Sequence, residues 1–224
     1  MSTKVKAKYL LLLGIFNFAL YFSIQSLITT SSYDFLTAVD VKIPFIPEFV
    51  WVYHSFLPVI ALSIIGLVKS KHLFFSTMAA FIMATVVLSI FFILCPSYYR
   101  REYWAINSDS LSDQLLAMTR MIDGANNTLP SAHNTFAWLL VFCMSATSCA
   151  KKYKWLVGAY TAWASLITVS TLVLKQHYIL DAVSGFALAA ICFFFMRRLV
   201  ESSRWNSIYN DGVGNTRREE ASPV

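Results

Sequence analysis

Three short stretches carry the side chains that could do chemistry. In KQHYILD, residues 175–181, His177 and Asp181 stand four residues apart, which on a helix puts them one turn from each other on the same face. A carboxylate bonded to one imidazole nitrogen fixes the tautomer and leaves the other nitrogen free to attack or to accept a proton. It also stabilises the cation that forms afterwards. Ser170, seven residues before His177, falls on that same face. In LPSAHNTFAW, Pro130 and Ser131 have the form of a helix start, so the free amides of the first turn would face an anion placed above them. His133 lies in that turn, positioned to donate or accept a proton beside the anion. In CPSYYRREY, Arg100 and Arg101 supply guanidinium forks whose geometry matches phosphate oxygens. Two histidines, one paired with an acid, together with arginines and a helix amino terminus, suggest phosphoryl chemistry.

These residues need elements to hold them. Of the 224 residues 57% are hydrophobic and only 13% charged, which is more apolar than a water-soluble domain usually is. A helix needs about 20 apolar residues to cross the hydrocarbon core, and six runs of that kind occur: 9–30, 49–68, 73–95, 133–150, 155–174 and 178–196. The expected fold is therefore an all-α integral membrane protein. A single six-helix transmembrane domain would span residues 1–198, with an outer loop at 96–132 and a flexible cytoplasmic tail at 199–224. The first run is flanked by Lys4, Lys6 and Lys8, lacks a small-residue cleavage pattern and is longer than a signal-peptide core, so it reads as a retained helix.

The net charge of +6 does not read as a nucleic-acid surface, because of where the charges fall. Lys4, Lys6 and Lys8, then Lys69 and Lys71, then Lys151, Lys152 and Lys154, then Arg197 and Arg198 lie at alternate ends of the six runs. That pattern puts both termini in the cytoplasm and the three chemical stretches at the outer face, with the plasma membrane as the expected site. Lys42, Arg100, Arg101, Arg120 and Lys175 are left on the outer side, and Lys42 and Arg120 read as interfacial charges. His54 reads as a satisfied interfacial histidine. Cys95, Cys143, Cys149 and Cys192 read as packing residues, because they have neither metal-ligand spacing nor a disulfide framework.

In the outer loop Leu111, Leu115, Met118 and Ile122 recur at helical spacing with Ser110 as N-cap. This predicts a short amphipathic helix, either lying on the membrane surface or packed on the bundle as a cap. Glu102, Asp109, Asp113 and Asp123 read as solvated loop charges, an amine-bearing head group being their alternative use. Asn126-Asn127-Thr128 reads as a turn.

The order and spacing of the three stretches resemble the type 2 phosphatidic acid phosphatase superfamily, whose pattern is K-x6-R-P, then P-S-G-H, then S-R-x5-H-x3-D. Pro130 to His133, P-S-A-H, match the second element with Ala132 for glycine. Ser170 to Asp181, S-T-x5-H-x3-D, match the third with Thr171 for arginine. The first element is degenerate: Ile93 and Leu94 stand where its lysine would precede Arg100 or Arg101, and no proline follows either arginine. The K-Q-H-Y-x-x-D form resembles the branch that contains inositol phosphorylceramide synthases and related lipid phosphatases.

The resemblance implies that His177 attacks phosphorus, that Asp181 orients it, and that His133 protonates the leaving oxygen and then activates water or an alcohol. Arg101, Arg100, Ser131, Lys175 and Ser170 are the candidates for holding the phosphoryl group, Lys175 replacing the charge that Thr171 lacks. The scheme needs no metal and no cofactor. The expected activity is metal-independent removal of phosphate from a phospholipid, isoprenyl phosphate or glycolipid phosphate presented by the bilayer. Transfer to an alcohol acceptor, or lipid binding and transport without catalysis, are the alternatives.

Overall fold

The computed structural model describes residues 1–28, 30, 32–106 and 110–201. The expected tail falls almost entirely outside these residues, as does Asp109. Polar caps and apolar runs define the elements. α1 (Thr3–Leu27) starts at Ser2, whose hydroxyl accepts the Val5 N–H. α2 (Ala38–Lys42) is a short helix closed by a Thr37/Asp40 capping box. A 3-10 turn (Pro47–Phe49), α3 (Val50–His54) and α4 (Phe56–Leu67) run on as one apolar stretch. α5 (Lys71–Leu94) is capped by Ser70, and α6 (Leu111–Ile122) by a Ser110/Asp113 box. α7 (Ala132–Ser145), α8 (Ser148–Lys152), α9 (Trp155–Val173) and α10 (Ile179–Glu201) complete the described elements.

Among the described residues, five stretches are long and apolar enough to cross a membrane: Thr3–Leu27, Pro47–Leu67, Lys71–Leu94, Trp155–Val173 and Ile179–Arg198. The chain is an integral membrane protein. The expected count of six is not reached on length, because the run at 133–150 is broken. Thr147 donates its hydroxyl to Met144 O at 2.7 Å and accepts the Ala150 N–H at 3.1 Å, which ends α7 and starts α8 in place of one continuous helix. At 1.5 Å per residue α7 is about 21 Å long, short of the ~30 Å hydrocarbon core.

α7 is nevertheless the centre of the bundle. It packs against α10, α9, α5 and α4, and Ala137, Leu139 and Leu140 on it are wholly buried. Its approach to α10 depends on Gly185, where a Cβ would lie 2.7 Å from Ser131 O and 3.0 Å from Asn134 Cβ. A small residue at that crossing lets the two backbones meet. α1 is at the other extreme. It packs on α4 and α5, and only 6% of its apolar window is buried. Lys6 fixes its lysine-rich end by donating to Ile65 O at 2.9 Å and Val68 O at 2.5 Å, carbonyls that the end of α4 leaves without a helical partner.

At the opposite end of the bundle, segments remote in sequence form a lid of irregular structure. Ser32 and Tyr33 donate to Pro96 O, and Tyr99 donates to Ala125 O. α6 docks through Ser112, Leu116 and Thr119, which are buried, while Leu111, Met118 and Ile122 stay exposed. Trp51 Nε1 donates to Ser112 Oγ at 3.1 Å, and His54 Nε2 pairs with Thr119 Oγ1 at 2.8 Å. Arg120 donates to Trp104 O and Leu174 O and lies over the Phe45 ring. Its burial lowers its pKa to about 10. Thus Arg120 clamps α6 to the end of α9, where the expectation was a charge at the interface.

Candidate active site

The turn between α9 and α10 is built so that His177 precedes the helix. Lys175 takes a left-handed backbone (φ 58°), uncommon for a residue with a side chain, and this reverses the chain. The Gln176 and His177 N–H groups then both donate to Thr171 O, at 3.0 and 3.2 Å. Asp181 lies in the first turn of α10, where its Oδ2 accepts the Tyr178 N–H at 2.9 Å and sits 3.4 Å from His177 Nδ1. The imidazole and carboxylate therefore meet through a tight turn, and the shared helix face expected from their spacing does not exist. Asp181 is fully buried, and its main-chain carbonyl accepts the Ser131 N–H at 3.0 Å, joining the start of α10 to the start of α7.

That junction brings the two histidines together. The rings of His133 and His177 have centroids 6.1 Å apart. His133 is held between aromatic faces, 4.3 Å from the Tyr53 ring and 4.7 Å from the Phe56 ring. The Tyr53 hydroxyl is 3.5 Å from His133 Nδ1. Both histidines line one cavity of about 470 Å³, together with Arg101, Asp123, Asn127 and Gln176.

Arg101 enters this cavity wall from the 3-10 turn Arg101–Tyr103. Its guanidinium donates to Asp123 O and to Gln176 Oε1, and lies 3.9 Å from Asp123 Oδ2. Arg100, its neighbour, is directed elsewhere: its Nε pairs with Asp34 Oδ2 at 2.5 Å, and it is absent from the cavity lining.

The other sequence-derived candidates are bonded within the chain. Ser131 Oγ accepts from Asn134 N at 3.3 Å and Asn134 Nδ2 at 3.0 Å, the work of an N-cap. Ser170 Oγ donates to Ile167 O at 2.7 Å. Lys175 is fully buried away from the cavity, with Nζ donating to Asp40 O at 3.0 Å and Ile43 O at 2.6 Å, 4.5 Å above the Trp104 ring. Burial lowers its pKa. Thr171, at the position of the motif arginine, accepts from Asn134 Nδ2 at 3.2 Å. Thr168 donates to Asn134 Oδ1 at 2.5 Å, so polar groups here lock α7 to α9.

Three residues of the wall were not singled out as site residues by sequence reasoning. Asp123, read there as a loop charge, accepts from Tyr21 OH at 2.5 Å and lies 3.4 Å from Tyr53 OH. Asn127, with φ 58°, is buried with no hydrogen bond to either side-chain atom, and Gln176 Nε2 and Arg101 Nε are likewise buried without partners. Buried polar atoms are normally bonded, so such a cluster marks a place where the fold gives up stability. Gln176 sits inside KQHYILD and could have been flagged by proximity. Asn127 lies in the turn-forming Asn-Asn-Thr, which carries no such signal. Among the described residues, no group of three or more His, Cys, Asp or Glu side chains is placed to hold a metal ion.

No curated protein and no solved structure matches the chain significantly. The sequence model described as the PAP2 superfamily does match, over residues 70–205, which include Arg101, His133, His177 and Asp181. That match covers more than half of the chain, and the chain belongs to the PAP2 superfamily.

Proposed function

We propose that this protein is an integral membrane phosphatase that removes phosphate from a lipid phosphomonoester or pyrophosphate at the outer leaflet, through a phosphohistidine on His177. The observation that carries this reading is the pair of imidazoles 6.1 Å apart on one cavity with Arg101 in its wall. Membership of the PAP2 superfamily supports a phosphatase- or phosphotransferase-type lipid enzyme. The lysine clusters at the far ends of the helices support that sidedness.

With Nδ1 turned toward Asp181, the Nε2 lone pair of His177 attacks phosphorus. The P–O bond to the lipid breaks, and His133 delivers its proton to the departing oxygen. His133, now neutral, takes a proton from water. The water oxygen bonds to phosphorus, the P–N bond breaks, and inorganic phosphate leaves. Arg101 stabilises the charge that builds on the phosphoryl oxygens, and the amides of Gln176 and Asn127 line the same cavity. Roles for Arg100, Ser131, Lys175 and Ser170 at the phosphate would require their present bonds to be broken, so the proposal rests the phosphate contact on Arg101.

The test is phosphate release in detergent from phosphatidic, phosphatidylglycerol, isoprenyl and glycolipid phosphates. Full activity in His177→Ala or His133→Ala would overturn the reading. Trapping of acid-labile phosphate on His177 would support it. A new lipid product formed with an added alcohol, in place of free phosphate, would make the second half-reaction a transfer.

A further inference from the structure

The cavity that holds the two histidines has its charged and imidazole groups at one end; farther along, the polar side chain in its lining is Asn17, whose amide donates to Thr85 Oγ1 at 3.1 Å. Away from His133, His177 and Arg101 it runs between α1 and α4, lined by Phe18, Gly14 and Leu10 on one side and by Leu57, Ile60 and Ala61 on the other. From Tyr21 to Leu10 along α1 the groove is about 16 Å long at 1.5 Å per residue. A second, shallower cavity shares Leu10, Gly14, Phe18 and Ala61 with the first and extends toward the lysine-rich end as far as Ala7 and Ile65. Gly14 and Ala61 are small residues in the lining of both cavities, and a Cβ added at Gly14 would meet nothing within 4 Å.

We infer that this groove between α1 and α4 holds a hydrocarbon chain of the same molecule whose phosphoryl group lies between His133 and His177. The inference rests on the phosphatase reading for the head group and adds where the tail goes. Continuity is the argument: one uninterrupted cavity joins a cationic and imidazole-lined end to an apolar trough in the part of the bundle that lies at membrane depth. A phosphate ester with a long chain matches it end to end. α1, with 6% of its apolar window buried, gives such a chain a lateral way in from the bilayer.

The experiment combines turnover with labelling. Gly14→Phe and Ala61→Phe place a ring in the groove, and Gly14→Leu provides a milder filling should either ring prevent folding. The quantity read is the ratio of kcat/KM for hexadecyl or farnesyl phosphate to that for phenyl phosphate. This ratio is expected to fall about tenfold in the filled variants. Equal losses with hexadecyl and farnesyl phosphate would assign the trough to hydrocarbon in general, and a loss with one alone would identify the chain it takes. An unchanged ratio in all three variants would overturn the inference.

A hexadecyl phosphonate with a terminal diazirine, which has no ester bond to hydrolyse, tests the groove even if no ester is turned over. Labelling of α1 or α4 supports the placement. Labelling confined to other helices, or a disulfide dimer formed by Gly14→Cys in the membrane, would assign the trough to something else and overturn it.

Discussion

The two walls of the cavity differ in kind. One is made by α7, the α9–α10 turn and the Arg101–Tyr103 turn, whose frame is tied by hydrogen bonds while Gln176 Nε2 and Arg101 Nε at the cavity are left without partners. Lys175 is tied to two carbonyls, Asp40 Oδ1 accepts the Ile179 N–H at 2.8 Å, and Ser131 caps α7 while bonding to α10. The other wall is α1, whose apolar window is 6% buried and whose Ile15 and Phe16 are about half exposed. Chemistry needs atoms held in place, whereas admission of a lipid needs a surface that can part from its neighbours. The bundle assigns these demands to different helices.

Substitutions can break or sharpen that contrast. The largest effect is expected at His177, where alanine should lower phosphate release by roughly 10⁴-fold or more, as for the loss of a covalent nucleophile, measured against equal amounts of folded protein in detergent. Arg101→Ala should follow with a loss of about 10²–10³-fold in kcat. Arg100→Ala, which breaks the Asp34 pair outside the cavity lining, should stay within about threefold. Equal losses at the two arginines would mean that the wall is less sharply defined than their different partners suggest.

The pH dependence of kcat/KM should be bell-shaped, because His177 must be neutral to attack and His133 protonated to donate, each limb changing about tenfold per pH unit. A flat profile with chemistry rate-limiting would remove one histidine from its role.

Lys175→Met tests the tied wall without touching the cavity. It leaves Asp40 O and Ile43 O without their donor and should cost about 1–3 kcal/mol, seen as a lower unfolding temperature. Since burial lowers the Lys175 pKa below 10.5, the unfolded chain binds its proton more readily. This group's contribution to stability is therefore reduced below the folded pKa and rises as pH climbs toward 10.5. That alkaline rise should vanish in Lys175→Met. The smallest effect is expected on the loose wall: Ile15→Ala, on the lipid-facing surface of α1, should change stability by no more than about 0.5 kcal/mol. An Ile15 effect as large as that of Lys175 would erase the distinction between the walls.

What could be read from the sequence followed the range of each interaction. Long apolar runs are local, so five spans were recognisable. The run at 133–150 had the right composition, but the hydroxyl of Thr147 interrupts it at a point that hydropathy does not register. The histidine motifs were recognisable by spacing, although a left-handed Lys175 brings His177 and Asp181 together where a helical turn was expected.

Arg100 and Arg101 are adjacent in sequence, and only the tertiary partners Asp34, Gln176 and Asp123 separate their roles. Lys175 was assigned to the phosphate because its charge was counted, while Asp40 and Ile43, more than 130 residues earlier, lay too far away in sequence to suggest another use. Asp123 gained its place through Tyr21 and Tyr53, which come from α1 and α3.

The Lys175 cradle also bears on how much of the chain is needed. Residues 70–205 carry the family likeness and both imidazoles. The carbonyls beneath Lys175 and the carboxylate that receives the Ile179 N–H belong to α2 and the residue after it, which precede that stretch in the sequence. A fragment trimmed to the recognisable part would keep both imidazoles and lose the clasp that shapes the turn carrying His177.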